Sequence, residues 1–371
     1  MKLHICSIRS IITVLLILIL NSTATANKTF DSLVIFGDSL SDNGNLYRYM
    51  WGYLPLSPPY FNGRFSNGPV WAEHLYQLLY DQENENGFQD YAVGGAGAVL
   101  SYKENLPYTL GIEVNNYLYW HTFGKPEMSL FTIWIGANNY LNGPENIDDL
   151  TTGVVDAIGN AVEKLISKGG NKFIIGNLPD MGYLPQTQVK GTVDLLTKLT
   201  LAHNDKLARK VAQLKALYPE TTILYFDAYS LFAEGIRNAE RYGIINTSDP
   251  CYPGSYTGWI YTMQITPDMI YSRLNSETSK LSPQQWAMIK DNPQLLAAAR
   301  VGYHYQNLPQ WLQDEPPNCE GYMFWDHVHP STMIHKKIAE HVAELIKQAG
   351  LKAINLPPDP VENYHDGNAV P

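Results

Sequence analysis

The chain has 371 residues, with 36 acidic side chains against 26 basic ones and a formal net charge of -10. That balance excludes the basic surface needed to hold nucleic acid or to adsorb electrostatically on anionic lipid, so any membrane contact must be apolar.

At the N-terminus Lys2 and Arg9 precede an apolar run from Ile11 to Leu20 and then Ala24-Thr25-Ala26, the small-x-small pattern of a signal-peptidase site. Residues 1–26 are expected to be a signal peptide, which makes the protein secreted, extracellular or periplasmic, with a mature chain starting near Asn27. The apolar run is too short to span a bilayer, and no later stretch approaches the ~20 apolar residues of a spanning helix. About 345 residues remain, enough to bury a large core in one big domain or two small ones. Cys6 leaves with the leader, and the remaining pair, Cys251 and Cys319, is expected to form a disulfide in an oxidising compartment; the alternative is two free buried thiols.

The first apolar run of the mature chain, residues 33–36, reads as a buried strand and leads directly into Gly37-Asp38-Ser39-Leu40-Ser41. A serine at the end of such a strand, beside a glycine that tolerates an unusual turn, is where a hydrolase can hold a nucleophile above its sheet. The competing reading is a strand-to-helix turn with Ser39 as its cap. Further runs at 91–93, 130–135, 173–175 and 222–226 read as strands buried on both faces. Between them, Ile147, Leu150, Val154, Ile158, Val162, Leu165 and Ile166 form one apolar stripe at helical spacing, closed by Gly169-Gly170. Strands alternating with helices predict an α/β fold, a parallel sheet with helices on both faces.

Residues 252–318 break this rhythm with an excess of Pro, Tyr, Trp and Gln, and with two short helices opened by Ser282-Pro283 and Asn292-Pro293. This is an insertion whose ends coincide with the cysteines. A last helix starts near Pro330 and carries Ile334, Ile338, Val342, Leu345 and Ile346, so the main domain is expected to span 27–356, with a loose tail at 357–371.

A serine hydroxyl needs a base to take its proton, and histidine is the side chain poised to do so. His329 lies in Asp326-His327-Val328-His329-Pro330, where an aspartate three residues earlier on a tight turn can accept a hydrogen bond from the second ring nitrogen. His327 is the alternative base, read as solvent-facing or supporting. Acyl transfer also needs donors for an oxyanion. Tyr91-Ala92-Val93-Gly94-Gly95-Ala96 offers the backbone N–H of Gly95, and Ile135-Gly136-Ala137-Asn138-Asn139 offers the side-chain amide of Asn138. In a parallel sheet the carboxyl ends of neighbouring strands open onto one crevice, so both turns should converge with Ser39. Helix–strand packing for Gly94-Gly95, and a simple cap for Asn138-Asn139, are equally open on these residues alone.

Taken together and in this order, these blocks resemble the GDSL or SGNH family of serine esterases and lipases, over residues 34–330. The resemblance implies a flavodoxin-like three-layer domain around a central parallel sheet, with the insertion just before the Asp-x-x-His block. It implies Ser39 as nucleophile, His329 as base, Asp326 as orienting acid, and an oxyanion hole from Ser39, Gly95 and Asn138, with no metal and no cofactor. Asn177-Leu178-Pro179 also fits the family, as does Pro59-Tyr60-Phe61-Asn62-Gly63-Arg64-Phe65-Ser66-Asn67-Gly68, from which Tyr60, Phe61 and Phe65 are candidates to line an acyl pocket. Asn139 stands where the third block usually carries an acid, so the hydrogen bonds made by that acid must differ here.

The cysteine-bracketed insertion and export look most like secreted bacterial phospholipases and glycerophospholipid-cholesterol acyltransferases. That likeness implies a lipid ester or other ester substrate, a sterol as acyl acceptor, and an activating protease at the insertion. Trp259, Tyr261, Met263, Ile265 and Ile270 are then expected to belong to a lid or regulatory loop. Three alternatives stand beside it. They are a carbohydrate or aryl esterase with the same triad, a metal-dependent hydrolase with Asp326, His327 and His329 as ligands, and a non-catalytic binding domain.

Overall fold

The computed structural model describes residues 28–355 apart from 53, 56, 81–86, 101–107, 123, 142–145, 253–266, 275–280, 292–294, 297–298 and 300–316. The expected signal peptide, the tail at 357–371, the helix start at Asn292-Pro293 and the insertion residues Trp259, Tyr261, Met263 and Ile265 lie outside the described residues. The helix opened by Ser282-Pro283 is present as Pro283–Lys290, with Ser282 and Gln285 forming a reciprocal capping box.

The strands run in chain order as β1 (Thr29–Phe30), β2 (Ser32–Gly37), β3 (Phe88–Asp90), β4 (Ser129–Trp134), β5 (Lys172–Gly176), β6 (Thr222–Phe226), β7 (Asn246–Pro250), β8 (Tyr322–Phe324) and β9 (Lys352–Ala353). The longer helices are α1 (Trp71–Leu79), α2 (Leu110–Trp120), α3 (Ile147–Ile166), α4 (Val193–Leu217), α5 (Ala228–Arg237) and α6 (Thr332–Gln348). Five strands form one parallel sheet in the order β3-β2-β4-β5-β6. β1 pairs with β9, and β7 with β8, in small parallel pairs beside it.

Because successive strand residues face opposite sides, β2 divides its side chains between two cores. Val34 and Phe36 join Val114, Tyr117, Ile158 and Leu207 on the side of α2, α3 and α4. Leu33 and Ile35 join Trp71, Leu75, Ile338 and Val342 on the side of α1 and α6. The result is the three-layer α/β architecture expected from the strand–helix alternation, with every residue of β2 buried. Among the described residues no helix is long and apolar enough to cross a membrane.

Two expectations need correction at the edges of the sheet. The strand expected at 91–93 lies at Phe88–Asp90. Tyr91 and Val93 still donate to the Ile35 and Gly37 carbonyls, but the Asp90 carboxylate accepts the Ala92 N–H at 2.9 Å and turns the chain out of the regular ladder. β6, expected to be buried on both faces, is only half-buried at Thr222, Leu224 and Tyr225, because as the last strand it lacks a neighbour on one side.

Cys251 and Cys319 form the expected disulfide, with their Cα atoms 5.6 Å apart. It closes the base of the insertion next to the β7–β8 pair, where Cys251 and Tyr252 donate backbone N–H groups to Phe324 and Trp325, directly before Asp326. Replacing Cys319 with serine is expected to lower the unfolding free energy by up to about 4 kcal/mol on loop-entropy grounds. Urea denaturation of the variant beside the oxidised and reduced parent checks the value.

Candidate active site

β2 delivers Gly37 to a place without room for a side chain, since a Cβ there would lie 2.7 Å from the Trp134 carbonyl. The chain then tightens: Ser41 and Asp42 both donate N–H to the Asp38 carbonyl, and Ser39 is left at the carboxyl end of the sheet, only 7% exposed. From the far end of the sequence, the turn after β8 brings His329 to it. His329 Nε2 lies 2.8 Å from Ser39 Oγ, and Nδ1 lies 2.8 Å from Asp326 Oδ2 and 3.0 Å from Oδ1.

The turn holds itself in place, because Asp326 Oδ1 also accepts the backbone N–H groups of Val328 and His329 at 2.8 and 2.7 Å. Tyr60 OH donates to Asp326 Oδ2 at 2.6 Å. Burial alone pushes the Asp326 carboxyl up, but the His329 imidazole beside it and the hydrogen bonds from His329 and Tyr60 outweigh burial and hold it below the usual carboxylate range. An ionised carboxylate only accepts, so Nδ1 carries the ring proton and Nε2 is free to take the serine proton. Both ring nitrogens of His329 are therefore engaged, and the metal-ligand reading of Asp326, His327 and His329 would have to break one of these contacts. The ring that meets Ser39 Oγ is that of His329 and not that of the alternative base His327, whose carbonyl accepts the Gln186 N–H.

Three turns meet around Ser39 and are tied together by polar side chains. The Asp42 carboxylate accepts N–H groups from Gly44 and Leu46 and, across the cleft, from Gly94 at 2.7 Å. Asn138 Nδ2 donates to the Ala96 carbonyl at 2.9 Å, which leaves the second amide hydrogen for a ligand. Gly94 packs so closely on Phe65 that a Cβ would lie 2.3 Å from its ring, and Gly95 sits at φ +78°, a conformation that favours glycine. Among the described residues neither Ser39 nor Gly95 spends its backbone N–H on a hydrogen bond. Ser39 and Asn138 face one cavity, whereas Gly95 is not among the residues lining it.

Asn139 explains the departure in the third block. Its Oδ1 accepts the Ala98 N–H and its Nδ2 donates to the Val99 carbonyl, each at 2.8 Å, pinning the segment that follows Gly95. A carboxylate could make only the first of these bonds. Asn139→Asp is expected to destabilise the fold by about 1 kcal/mol, the net worth of the lost hydrogen bond to the half-buried Val99 carbonyl, and a lowered denaturation midpoint checks it.

Beneath the serine turn lies a cluster of buried acids. Glu113, from α2, accepts the Gly37 N–H at 2.9 Å, and burial pushes its carboxyl well above the usual range. Burial likewise pushes Asp38 up to about 6 and raises Asp42 and Asp90.

The cavity beside Ser39 measures about 110 Å³ and is largely apolar, with Leu40, Met181, Leu184, Phe232, Ile236 and Phe324 among its lining residues. None of the expected pocket residues Tyr60, Phe61 and Phe65 lines it. Tyr60 is buried against Asp326, Phe65 packs its ring 5.0 Å from that of His329, and Phe61 is 37% exposed. The aromatic segment supports the acid and the histidine, while α5 and the loop after β5 build the cavity. The lining residues come from segments far apart in sequence, and only the apolar spacing of Tyr229, Phe232, Ala233 and Ile236 on α5 could have hinted at them.

The profile of the family described as GDSL-like lipase/acylhydrolase matches residues 33–342. Over 330 residues, 87% of this chain and 92% of the relative, the sequence is 34% identical to the phosphatidylcholine-sterol acyltransferase of Aeromonas hydrophila. It is 25% identical over 332 residues to the thermolabile hemolysin of Vibrio parahaemolyticus, covering 87% of this chain and 66% of that one. Among solved structures, a carbohydrate acetylesterase from Sinorhizobium meliloti aligns over 53% of this chain and 83% of its own, at 14% identity and a TM-score of 0.36.

Proposed function

Since the chain belongs to the GDSL-like lipase/acylhydrolase family, we propose that it is an exported serine enzyme that cleaves lipid esters, phospholipids foremost, and passes the acyl group to water or to a sterol. The observation that carries this reading is the hydrogen-bonded chain Ser39, His329, Asp326 at the wall of an apolar cavity. Similarity to a phosphatidylcholine-sterol acyltransferase supports the choice of substrate and acceptor. The N-terminal leader pattern and the disulfide support export.

In this mechanism Ser39 Oγ attacks the ester carbonyl carbon while His329 Nε2 takes the hydroxyl proton. The negative charge that develops on the carbonyl oxygen is met by the N–H groups of Ser39 and Gly95 and by the free amide hydrogen of Asn138. Collapse of the tetrahedral intermediate breaks the ester C–O bond, and His329 returns its proton to the leaving alcohol. Water or a sterol hydroxyl then gives a proton to His329 and attacks the acyl carbon; collapse breaks the bond to Ser39 Oγ, and His329 returns the proton to it. Asp326 remains ionised throughout and stabilises the imidazolium.

Phosphatidylcholine vesicles prepared with and without cholesterol test the reading. Expected products are lysophospholipid with free fatty acid in the absence of sterol, sterol ester in addition when sterol is present, and neither with Ser39→Ala. Failure to cleave phospholipid, together with rapid cleavage of an acetylated sugar or aryl ester, would move the assignment to a carbohydrate or aryl esterase.

A further inference from the structure

A second apolar pocket adjoins the cavity beside Ser39. It measures about 30 Å³, and its lining includes Leu231, Gly235, Ile244, Met323, Ile334 and Ile338. Phe232 belongs to the lining of both spaces and is only 9% exposed. The split follows from helix geometry. At about 100° per residue, α5 turns Tyr229, Ala233 and Ile236 toward the cavity, and Leu231 and Gly235 toward the second pocket, with Phe232 on the boundary. Gly235 adds a further observation. A Cβ built there meets only Ile244 Cδ1, at 4.0 Å, so the helix presents open space where most residues would fill it.

We propose that Phe232 is the partition that sets how long an acyl chain the enzyme prefers, closing off the second pocket so that the far end of a chain reaches it only when the ring is removed. The proposal rests on Ser39 as acyl carrier. An acyl group on Ser39 enters a space walled by Leu40, Met181, Ile236 and Phe324, and its growing end meets Phe232. Beyond that ring the lining is mainly aliphatic, and its two polar side chains are partnered, Tyr242 by Glu234 and Lys337 by Glu340, so removal of the ring joins two largely apolar spaces. Each further methylene taken out of water is worth about fourfold in kcat/KM.

The experiment measures kcat/KM on p-nitrophenyl esters from acetate to palmitate for the parent, Phe232→Ala, Gly235→Leu, the double variant and Ser39→Ala. Phe232→Ala is expected to move the optimum by two or more methylenes toward longer chains. Gly235→Leu, which fills the second pocket and favours the helix, is expected to leave the parent profile unchanged and to return the double variant to it. Should Phe232→Ala fail to fold, Phe232→Leu carries the same comparison with a smaller shift. An unchanged optimum in the Phe232 variants, an equal loss at every chain length, or a double variant that keeps the longer optimum would each overturn the proposal. Activity surviving in Ser39→Ala would instead overturn the acyl-carrier reading on which the proposal depends.

Discussion

Ser39→Ala is expected to lower kcat for ester cleavage by about six orders of magnitude, and the Ser39→Ala/His329→Ala double variant by no more than that. The two side chains share one proton through the 2.8 Å contact between Ser39 Oγ and His329 Nε2. Without the hydroxyl there is no atom to acylate; without the imidazole the hydroxyl is too weak a nucleophile to react. Losses that depend on the same step do not add. The residual rate is expected to come from the donors proposed for the oxyanion, the backbone N–H groups at positions 39 and 95 and the Asn138 amide. Substitution of one small hydroxyl should leave the fold intact, so the parent and variant should denature within about 1 kcal/mol of each other. A steady-state assay beside a denaturation curve separates the two effects.

The second large effect is expected from Asp326→Asn, a loss of about 10⁴ in kcat with little change in KM. An amide placed against His329 Nδ1 favours the tautomer in which Nε2 carries the proton, and that nitrogen then cannot accept the serine proton. Tyr60→Phe gives a graded version of the same fault. It removes the hydroxyl 2.6 Å from Asp326 Oδ2, a charge-assisted bond whose loss is worth roughly ten- to a hundredfold in kcat. The sign of its pH effect follows from the direction of the Asp326 shift. The interactions of Asp326 with His329 and Tyr60 depress its pKa in the folded protein, and the stability they contribute is present above the unfolded pKa and lost as pH falls through the folded one. Tyr60→Phe weakens that depression, so the acid side of the rate and stability profiles should move to higher pH. An unchanged acid side would assign Tyr60 to packing alone.

How much of this was readable in the sequence depends on how local each feature is. The strands at 33–36, 130–135, 173–175 and 222–226 are short apolar runs, and Asp326 and His329 are separated by one turn, so both are legible from neighbouring residues. β3 shifted because, at an edge, a single Asp90 side-chain bond to Ala92 can end the ladder without a cost in burial. Tyr60 was legible as part of an aromatic segment but not in its role, since its partner lies 266 residues away. Glu113 carries no local sign at all: only the packing of α2 against β2 puts its carboxyl on the Gly37 N–H. The cavity was least legible, because α5, the loop after β5 and the turn after β8 each contribute part of its wall.

The measurement closest to the central claim is mass analysis of the enzyme acid-quenched during turnover of a phospholipid of defined acyl chain. The peptide bearing Ser39 should gain the mass of that acyl group, the adduct should disappear on addition of an acceptor alcohol, and Ser39→Ala should show none. Acylation of another residue, or full turnover by Ser39→Ala, would contradict a covalent path through this serine.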